Sequence, residues 1–327
     1  MLQQTRVEAV KGYYARFLTA FPNIKSLANA PQDELMKLWQ GLGYYSRANN
    51  LKRAAIEIEE RFHGEFPRTY QEILSLPGIG EYTAGAIASI ALGEAVPAID
   101  GNVYRIYTRL FEDGSDITKA AFKKQLRSEL LQTIPPGAPG IYNQAWMDLG
   151  ATICQPNGAP LCDKCPFVSR CQAHIHDSWS AFPVKPPKKK RRIEEKTVIL
   201  LEYQGTYLVQ KRPPKGLLAG LWEFPSQEGF ISTEELQKLL EQWNTSASNI
   251  ELLGKGKLSI TLATHWTDRI ISMLENREWH MIGYLIHLKQ APSIPLSEDS
   301  IWVTAEKMQR EYSIPSALRL YYSKIIS

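Results

Sequence analysis

The chain lacks several things that would have assigned it at once. Nowhere in its 327 residues is there an apolar run of about eighteen, the least that a membrane-spanning helix needs, and no secretory signal is recognisable. Both absences predict an intracellular, cytoplasmic protein with no membrane partner. Cysteine is scarce: the four present all lie between 154 and 171, which argues against a disulfide framework. Charge of one sign is scarce too. With 38 Lys and Arg against 34 Asp and Glu, the net +4 permits nucleic acid as a partner without pointing to it. What is left, 44% hydrophobic and 22% charged residues, describes a globular chain long enough for two domains.

The organising stretch is Leu76-Pro77-Gly78-Ile79-Gly80-Glu81-Tyr82-Thr83-Ala84-Gly85, continuing to Ile99-Asp100-Gly101-Asn102. Glycines on either side of Ile79 allow a tight turn, and the small-residue run Thr83 to Leu92 predicts a helix closed by Gly93. A helix start presents unpaired N–H groups and about half a positive charge, which suits a phosphate. With no side chain at Gly78 and Gly80, a nucleic-acid backbone can come close. The same residues also describe a plain corner in an all-α protein. Asp100 stands at the N-cap of a second predicted helix, Val103 to Leu110. Either it only caps that helix, or the capping N–H groups keep it ionised as the fixed anion that oxocarbenium chemistry on a sugar needs.

Elsewhere before residue 180 the periodicity is helical. Residues 1–21 carry an apolar face of Leu2, Val7, Val10, Tyr14, Phe17 and Leu18, ended by Pro22; nothing caps its start, so a truncated N-terminus is expected. Residues 32–63 predict two helices broken at Gln40-Gly41-Leu42-Gly43-Tyr44-Tyr45, and 117–150 two more, the last closed by Gly150 as a C-cap. Arg47, Lys52 and Arg53 are phosphate contacts or a solvated face. The cysteines follow as Cys154-x7-Cys162-x2-Cys165-x5-Cys171. Four soft thiolates suit tetrahedral zinc, with His174 and His176 spare, or a [4Fe–4S] cluster.

Lys185 to Arg192, rich in proline and cations, reads as part of a solvated linker over 181–196 that adds nonspecific DNA affinity or serves as a nuclear localisation signal. Beyond it the pattern turns α/β. Strands Thr197–Tyr203 and Tyr207–Lys211 flank Gln204-Gly205, a Ser232/Glu235 capping box opens a helix to Trp243, strands fall near 258–264 and 279–288, and a helix spans Ser316–Ile326.

Leu-Pro-Gly-Ile-Gly followed about twenty residues on by Ile-Asp-Gly-Asn-Val resembles the helix–hairpin–helix DNA glycosylases. With Met1-Leu2-Gln3-Gln4-Thr5, Gly41 to Tyr45 and Asn143 to Gly150, most of residues 1–180 resemble the adenine DNA glycosylase (MutY) family in particular. Lys215-Gly216-Leu217-Leu218-Ala219-Gly220-Leu221-Trp222-Glu223-Phe224-Pro225 resembles that family's Nudix-like recognition domain. The resemblance implies an α plus α/β architecture: an all-α helix–hairpin–helix glycosylase domain at 1–180 with an iron–sulfur loop, the basic linker, and a Nudix-like domain at 197–327. It implies base-excision repair, in which a monomer hydrolyses adenine from double-stranded DNA mispaired with 8-oxoguanine or guanine. No Arg-Glu-x-x-Glu-Glu string follows Pro225, so the second domain is expected to bind and not to hydrolyse. The family order of cysteines implies a [4Fe–4S] cluster on Cys154, Cys162, Cys165 and Cys171, though the first gap is seven residues where six is typical.

By the same resemblance Asp100 is the anion beside the sugar. Tyr82 takes the place of the lysine with which endonuclease III-type enzymes cleave the strand; a tyrosine forms no imine, so hydrolysis alone is expected. Gln4 enters the stack near the lesion, Tyr44 wedges between bases, and Gly78, Gly80 and Asn102 contact DNA. Asn143 and Gln144 either approach the flipped base or are simply exposed polar positions on their helix, and Thr264-His265 stands where the family often has Ser-His to probe the oxidised guanine. Departing adenine also needs a general acid. The family keeps it as a glutamate two residues before Met-Leu-Gln-Gln-Thr, ahead of Met1 here. Two further readings therefore stay open: a catalytically inactive DNA-binding module, and a bifunctional endonuclease III-like glycosylase.

Overall fold

The structure, a computed structural model, describes residues 1, 5, 7–187, 192–214, 216–261, 276–290 and 299–326, with 256–261 and 276–277 described by backbone alone. Gln4, Thr264 and His265 lie outside the described residues. Two compact units emerge: Met1–Glu60 together with Lys189–Ser327, and Arg61–Lys188. The first four helices thus group with the sheet, where the sequence reading placed them with residues 61–180.

The first unit opens with α1 (Val7–Ala20), α2 (Ile24–Ala28), α3 (Gln32–Trp39) and α4 (Ser46–Phe62). The short α2 was not foreseen, although Asn23 and Ser26 close a reciprocal cap over it. Val10, Phe17, Leu35, Met36 and Trp39 form the core of these helices, and Leu221 from the sheet portion completes it.

The second unit is all-helical: α5 (Tyr70–Leu74), α6 (Glu81–Leu92), α7 (Gly101–Phe111), α8 (Ala120–Thr133), α9 (Pro139–Thr152) and α10 (Gln172–Ile175). Gly93 ends α6 in the left-handed conformation, at φ 73°, as its sequence position predicts. Gly150 does not end α9, which continues to Thr152. It is small for another reason: a Cβ there would collide with the side chain of Asn102 on α7. One core gathers Tyr70, Ile73, Ala84, Ala88 and Val96, another Val103, Tyr107, Phe122, Leu126 and Leu130.

The rest of the first unit holds β1 (Arg192–Tyr203), β2 (Thr206–Lys211), β3 (Trp222–Glu223), β4 (Ser226–Glu228), α11 (Thr233–Gln242), β5 (Ala247–Thr261), β6 (Asn276–Leu288), β7 (Ser300–Thr304), α12 (Ala305–Glu311) and α13 (Arg319–Tyr322). The sheet runs β3-β2-β1-β6-β5, with β4 on β1 and β7 on β2, and β1 is parallel to β6. Val198-Ile199-Leu200-Leu201 alternates between two apolar layers. Val198 and Leu200 join Phe224 and Tyr321 on one face, and Ile199 and Leu201 join Leu236 and Leu240 on the other.

Sequence boundaries shift where pairing decides them. β1 begins at Arg192, inside the expected linker, because residues 192–196 pair with 277–281 of β6. β5 starts at Ala247, well before the expected 258, and β7 with α12 was not foreseen. The expected helix Ser316–Ile326 is a 3₁₀ turn at 316–318 followed by the short α13. No helix among the described residues is long and apolar enough to cross a membrane.

Candidate functional site

The turn between α5 and α6 is built from its ends inward. Thr69 and Glu72 close a capping box at the start of α5, and Ile79 donates its N–H to Leu76 across the turn at 3.2 Å. Gly78 sits at φ 76°, a conformation that a side chain would strain. Gly80 caps α6 with extended backbone; no described side chain caps that helix start, and no described atom lies within 4 Å of where a Gly80 Cβ would stand.

Asp100 is held differently. Its Oδ1 accepts from the backbone N–H groups of Asn102 and Val103 at 2.8 and 3.0 Å, and its Oδ2 accepts from Asn102 Nδ2 at 2.8 Å. Asn102 Oδ1 in turn accepts from Arg105 at 2.9 Å, so the amide predicted to contact DNA is engaged between an aspartate and an arginine. Arg105, only 6% exposed, also donates to the carbonyls of Gly150 and Cys154 at 2.8 Å each. Tyr82 projects half-exposed and donates to Met147 Sδ at 3.9 Å; burial first, and then the charge of Asp100, pushes its phenol up. Burial likewise raises Tyr104, with Glu81 and Asp100 adding to the effect.

The segment leading into Asp100 is clamped by Asn143. Its Oδ1 accepts from Ala98 N at 2.9 Å, and its Nδ2 donates to Val96 O at 2.9 Å and Ser89 Oγ at 2.8 Å. At 2% exposure it is a buried strut, which corrects the expectation that it meets the flipped base. Gln144, next to it, is exposed.

Cys154, Cys162, Cys165 and Cys171 line one pocket with Arg109, His174 and Trp179. Arg109 Nη1 reaches Cys154 Sγ at 3.4 Å and Gln155 O at 3.1 Å, and Cys171 Sγ lies 3.5 Å from Arg109 O. Burial pushes the Cys162 and Cys171 thiols up, and their mutual repulsion with the neighbouring sulfurs adds to it. Among the described residues no three His, Cys, Asp or Glu side chains gather about one metal-ion position.

In the first unit, Tyr44 stands at φ 46° and is 38% exposed at the tip of the turn after α3. Arg47 bonds Leu42 O and Gly43 O at 3.3 Å and lies over the rings of Trp39 and Tyr44. Gly41, at φ 99°, leaves room for the Tyr13 hydroxyl, which bonds Gln40 O at 3.0 Å.

Residues 1–132 match the HhH-GPD superfamily of base excision DNA repair proteins, and residues 197–324 match the NUDIX domain. An adenine DNA glycosylase of Buchnera aphidicola subsp. Baizongia pistaciae is 32% identical over 95% of this chain and 89% of its own length. That of Schizosaccharomyces pombe is 32% identical over 94% and 75%. The chain belongs to the adenine DNA glycosylase family. The human member is 34% identical over 94% of this chain, and the chain spans 63% of that relative's length.

The family assignment places the expected architecture on firm ground, but several residues that organise this member's site were not in the expected set. Arg105 and Arg109 follow Asp100 at five and nine residues, four apart on α7, so both reach the cysteine loop from one helix face. Two arginines at that spacing in an otherwise apolar helix were the available signal. Ser89 carried no such signal, since only tertiary packing brings it to Asn143.

Proposed function

We propose that this chain is a monofunctional adenine DNA glycosylase of base-excision repair, acting as an intracellular monomer on double-stranded DNA with adenine opposite 8-oxoguanine or guanine. Its glycosylase domain covers 1–180 and its Nudix-like lesion-recognition domain follows the basic linker, which ends before β1 begins at Arg192. The observation that carries this reading is the state of Asp100: both oxygens are hydrogen-bonded, so the carboxylate is fixed in place, and the neighbouring Tyr82 has no amine.

The chemistry follows from charge. As adenine leaves, the sugar develops positive charge, and a carboxylate about 4 Å away at an effective dielectric near 20 is worth about 4 kcal/mol. That corresponds to roughly a thousandfold in rate. Three N–H donors keep Asp100 in the role of acceptor, so the proton for adenine comes from a second group. Water then adds to the sugar, and without an amine on Tyr82 no imine forms and the strand stays intact. The open start of α6 and the turn at Gly78 and Gly80 hold a phosphate, while Gln4, Tyr44, Asn102, Gln144, Thr264 and His265 remain the proposed DNA contacts.

We infer a [4Fe–4S] cluster held by the four cysteines. All four cysteines line one pocket, which brings four thiolates to a single group, and their order along the chain is the family's. Thiols that burial and mutual repulsion push up need a cationic core to become thiolates together. The cluster, when bound, ties the end of α9 to α10.

The test is single-turnover incubation with a duplex bearing adenine opposite 8-oxoguanine. Alkali-labile abasic sites, with no strand cleavage before alkali and no borohydride-trapped adduct, support the reading. A trapped adduct, or no base loss with unselective binding, overturns it.

A further inference from the structure

The α3 helix carries polar side chains at 33 and 37, i and i+4 on one helix face, its C-cap carries a third at 40, and all three reach the sheet portion of the first unit. Asp33 pairs with Lys211 Nζ at 2.8 Å. Lys37 Nζ donates to the carbonyls of Gln309 and Tyr312 at 2.5 and 3.1 Å, at and just beyond the end of α12. Gln40 Nε2 donates to Ile314 O at 3.0 Å. Leu221, wholly buried, enters the core of the N-terminal helices beside Trp39.

The C-terminal end of that helix is also the first residue of the Tyr44 turn. Gln40 O accepts the Tyr13 hydroxyl, Trp39 Nε1 donates to Gly43 O at 3.1 Å, and Gly41 N donates to the Tyr45 hydroxyl at 3.4 Å. Arg47 bonds the next two carbonyls. Gly41 and Gly43 are both at positive φ, and Tyr44 itself is left-handed, so the turn holds one strained conformation. A turn held at the carbonyls of Gln40, Leu42, Gly43 and Tyr44 moves as a body with the helix that precedes it. Lys37 is desolvated at its carbonyl partners, and burial lowers its ammonium from the ordinary 10.5. Such a contact is kept only where the geometry repays the desolvation.

We propose that Lys37 and Gln40 are positioning residues that fix the Tyr44 turn to segment 309–314 of the Nudix-like portion, so that engagement of the lesion there sets how Tyr44 enters the duplex. The inference rests on the proposed reading of Tyr44 as a base wedge and of the Nudix-like portion as the lesion reader. It assigns part of the preference for 8-oxoguanine over guanine opposite adenine to residues that touch neither base.

The test uses the 327-residue chain and measures binding to duplexes with adenine opposite 8-oxoguanine and opposite guanine. If the unmodified chain shows no preference, the underlying reading fails and the inference falls with it. Given a preference, Gln40→Met and Lys37→Met, which keep bulk and lose the donor, should each reduce it by about fivefold, the worth of one hydrogen bond. On a Tyr44→Ala background neither substitution should reduce it further. In the unmodified chain, amide exchange at 40–45 and at 309–314 should slow together on the 8-oxoguanine duplex, a readout that needs no variant to fold. Retained preference in both variants, equal losses on both duplexes, additive losses with Tyr44→Ala, or protection of one segment without the other would each overturn the coupling.

Discussion

Two helix starts in the same unit face opposite electrostatic tasks. The start of α6, at Gly80, has no described side-chain cap, while the start of α7 is closed by Asp100 and by the Asn102 amide behind it. Each start presents about half a positive charge from the aligned peptide dipoles. Left open, that charge recruits an anion from outside, as a phosphate-binding turn must. Closed by a carboxylate, it instead fixes an anion belonging to the protein, which the proposed function sets against a cation that forms only during reaction. On the proposed reading, one backbone motif serves binding or catalysis according to whether its cap is a glycine or an aspartate.

The sharpest way to break this contrast is to separate cap from charge at Asp100. Serine caps a helix about as well as aspartate does, so Asp100→Ser should fold with little loss of stability. Excision should fall by 10²-fold or more, roughly the scale on which one positioned catalytic group contributes. Asp100→Asn should behave alike in single-turnover assays of base loss. Full activity in either variant would make Asp100 a helix cap and nothing else.

Next in size is Gly150→Ala. The new methyl would collide with Asn102, whose amide orients Asp100, and overpacking of this kind costs about 1–3 kcal/mol. Urea unfolding should show that loss, with a drop in excision accompanying it. An unchanged midpoint would mean that α7 and α9 part freely.

Gly80→Asp turns the open start into a copy of the closed one. Helix stability should change by only a few tenths of a kcal/mol, in the favourable direction. Duplex affinity should fall by about tenfold, and the salt dependence should lose about one phosphate, a slope change near 0.9. Titrations at several salt concentrations decide it, and an unaltered slope means that no phosphate sits at that start.

The smallest effect concerns the other end of α7. Glu112, its C-cap, accepts from Ser178 Oγ at 2.5 Å and contacts His176 Nδ1 at 2.8 Å, and these bonds lower its carboxyl from the ordinary 4.5. A lowered carboxyl stabilises the fold above its ordinary value and loses that contribution as pH falls through the folded value. Glu112→Gln should therefore be slightly less stable at neutral pH, with the difference vanishing in acid. Thermal melts from neutral pH down to about 3 would show a constant offset if the carboxylate is irrelevant.

Much of this was legible without coordinates, for local reasons. Gly93 ends α6 because only glycine takes that φ without cost, Asp100 caps α7 because its short carboxylate reaches the N–H groups two and three residues ahead, and Ser232 with Glu235 opens α11 by the same reach. The α plus α/β architecture followed from where helical periodicity gives way to alternation. What failed was whatever depends on partners distant in sequence. Gly150 has the chemistry of a C-cap and lies inside α9, because Asn102 comes too close for a side chain. Asn143 looks like an exposed polar residue and is a buried strut between Ser89, Val96 and Ala98.

The sequence by itself determined the caps, the turns, the apolar faces and the chemistry available at each position, since these depend on a residue and its near neighbours. Only the tertiary structure decided that Arg105 joins Asn102 to the cysteine loop, that β1 reaches back to Arg192, and that Asp33, Lys37 and Gln40 face the sheet portion. A hydrogen bond across dozens of residues carries no local signature. The same side chain serves as solvated surface or buried strut according to what the rest of the fold brings against it.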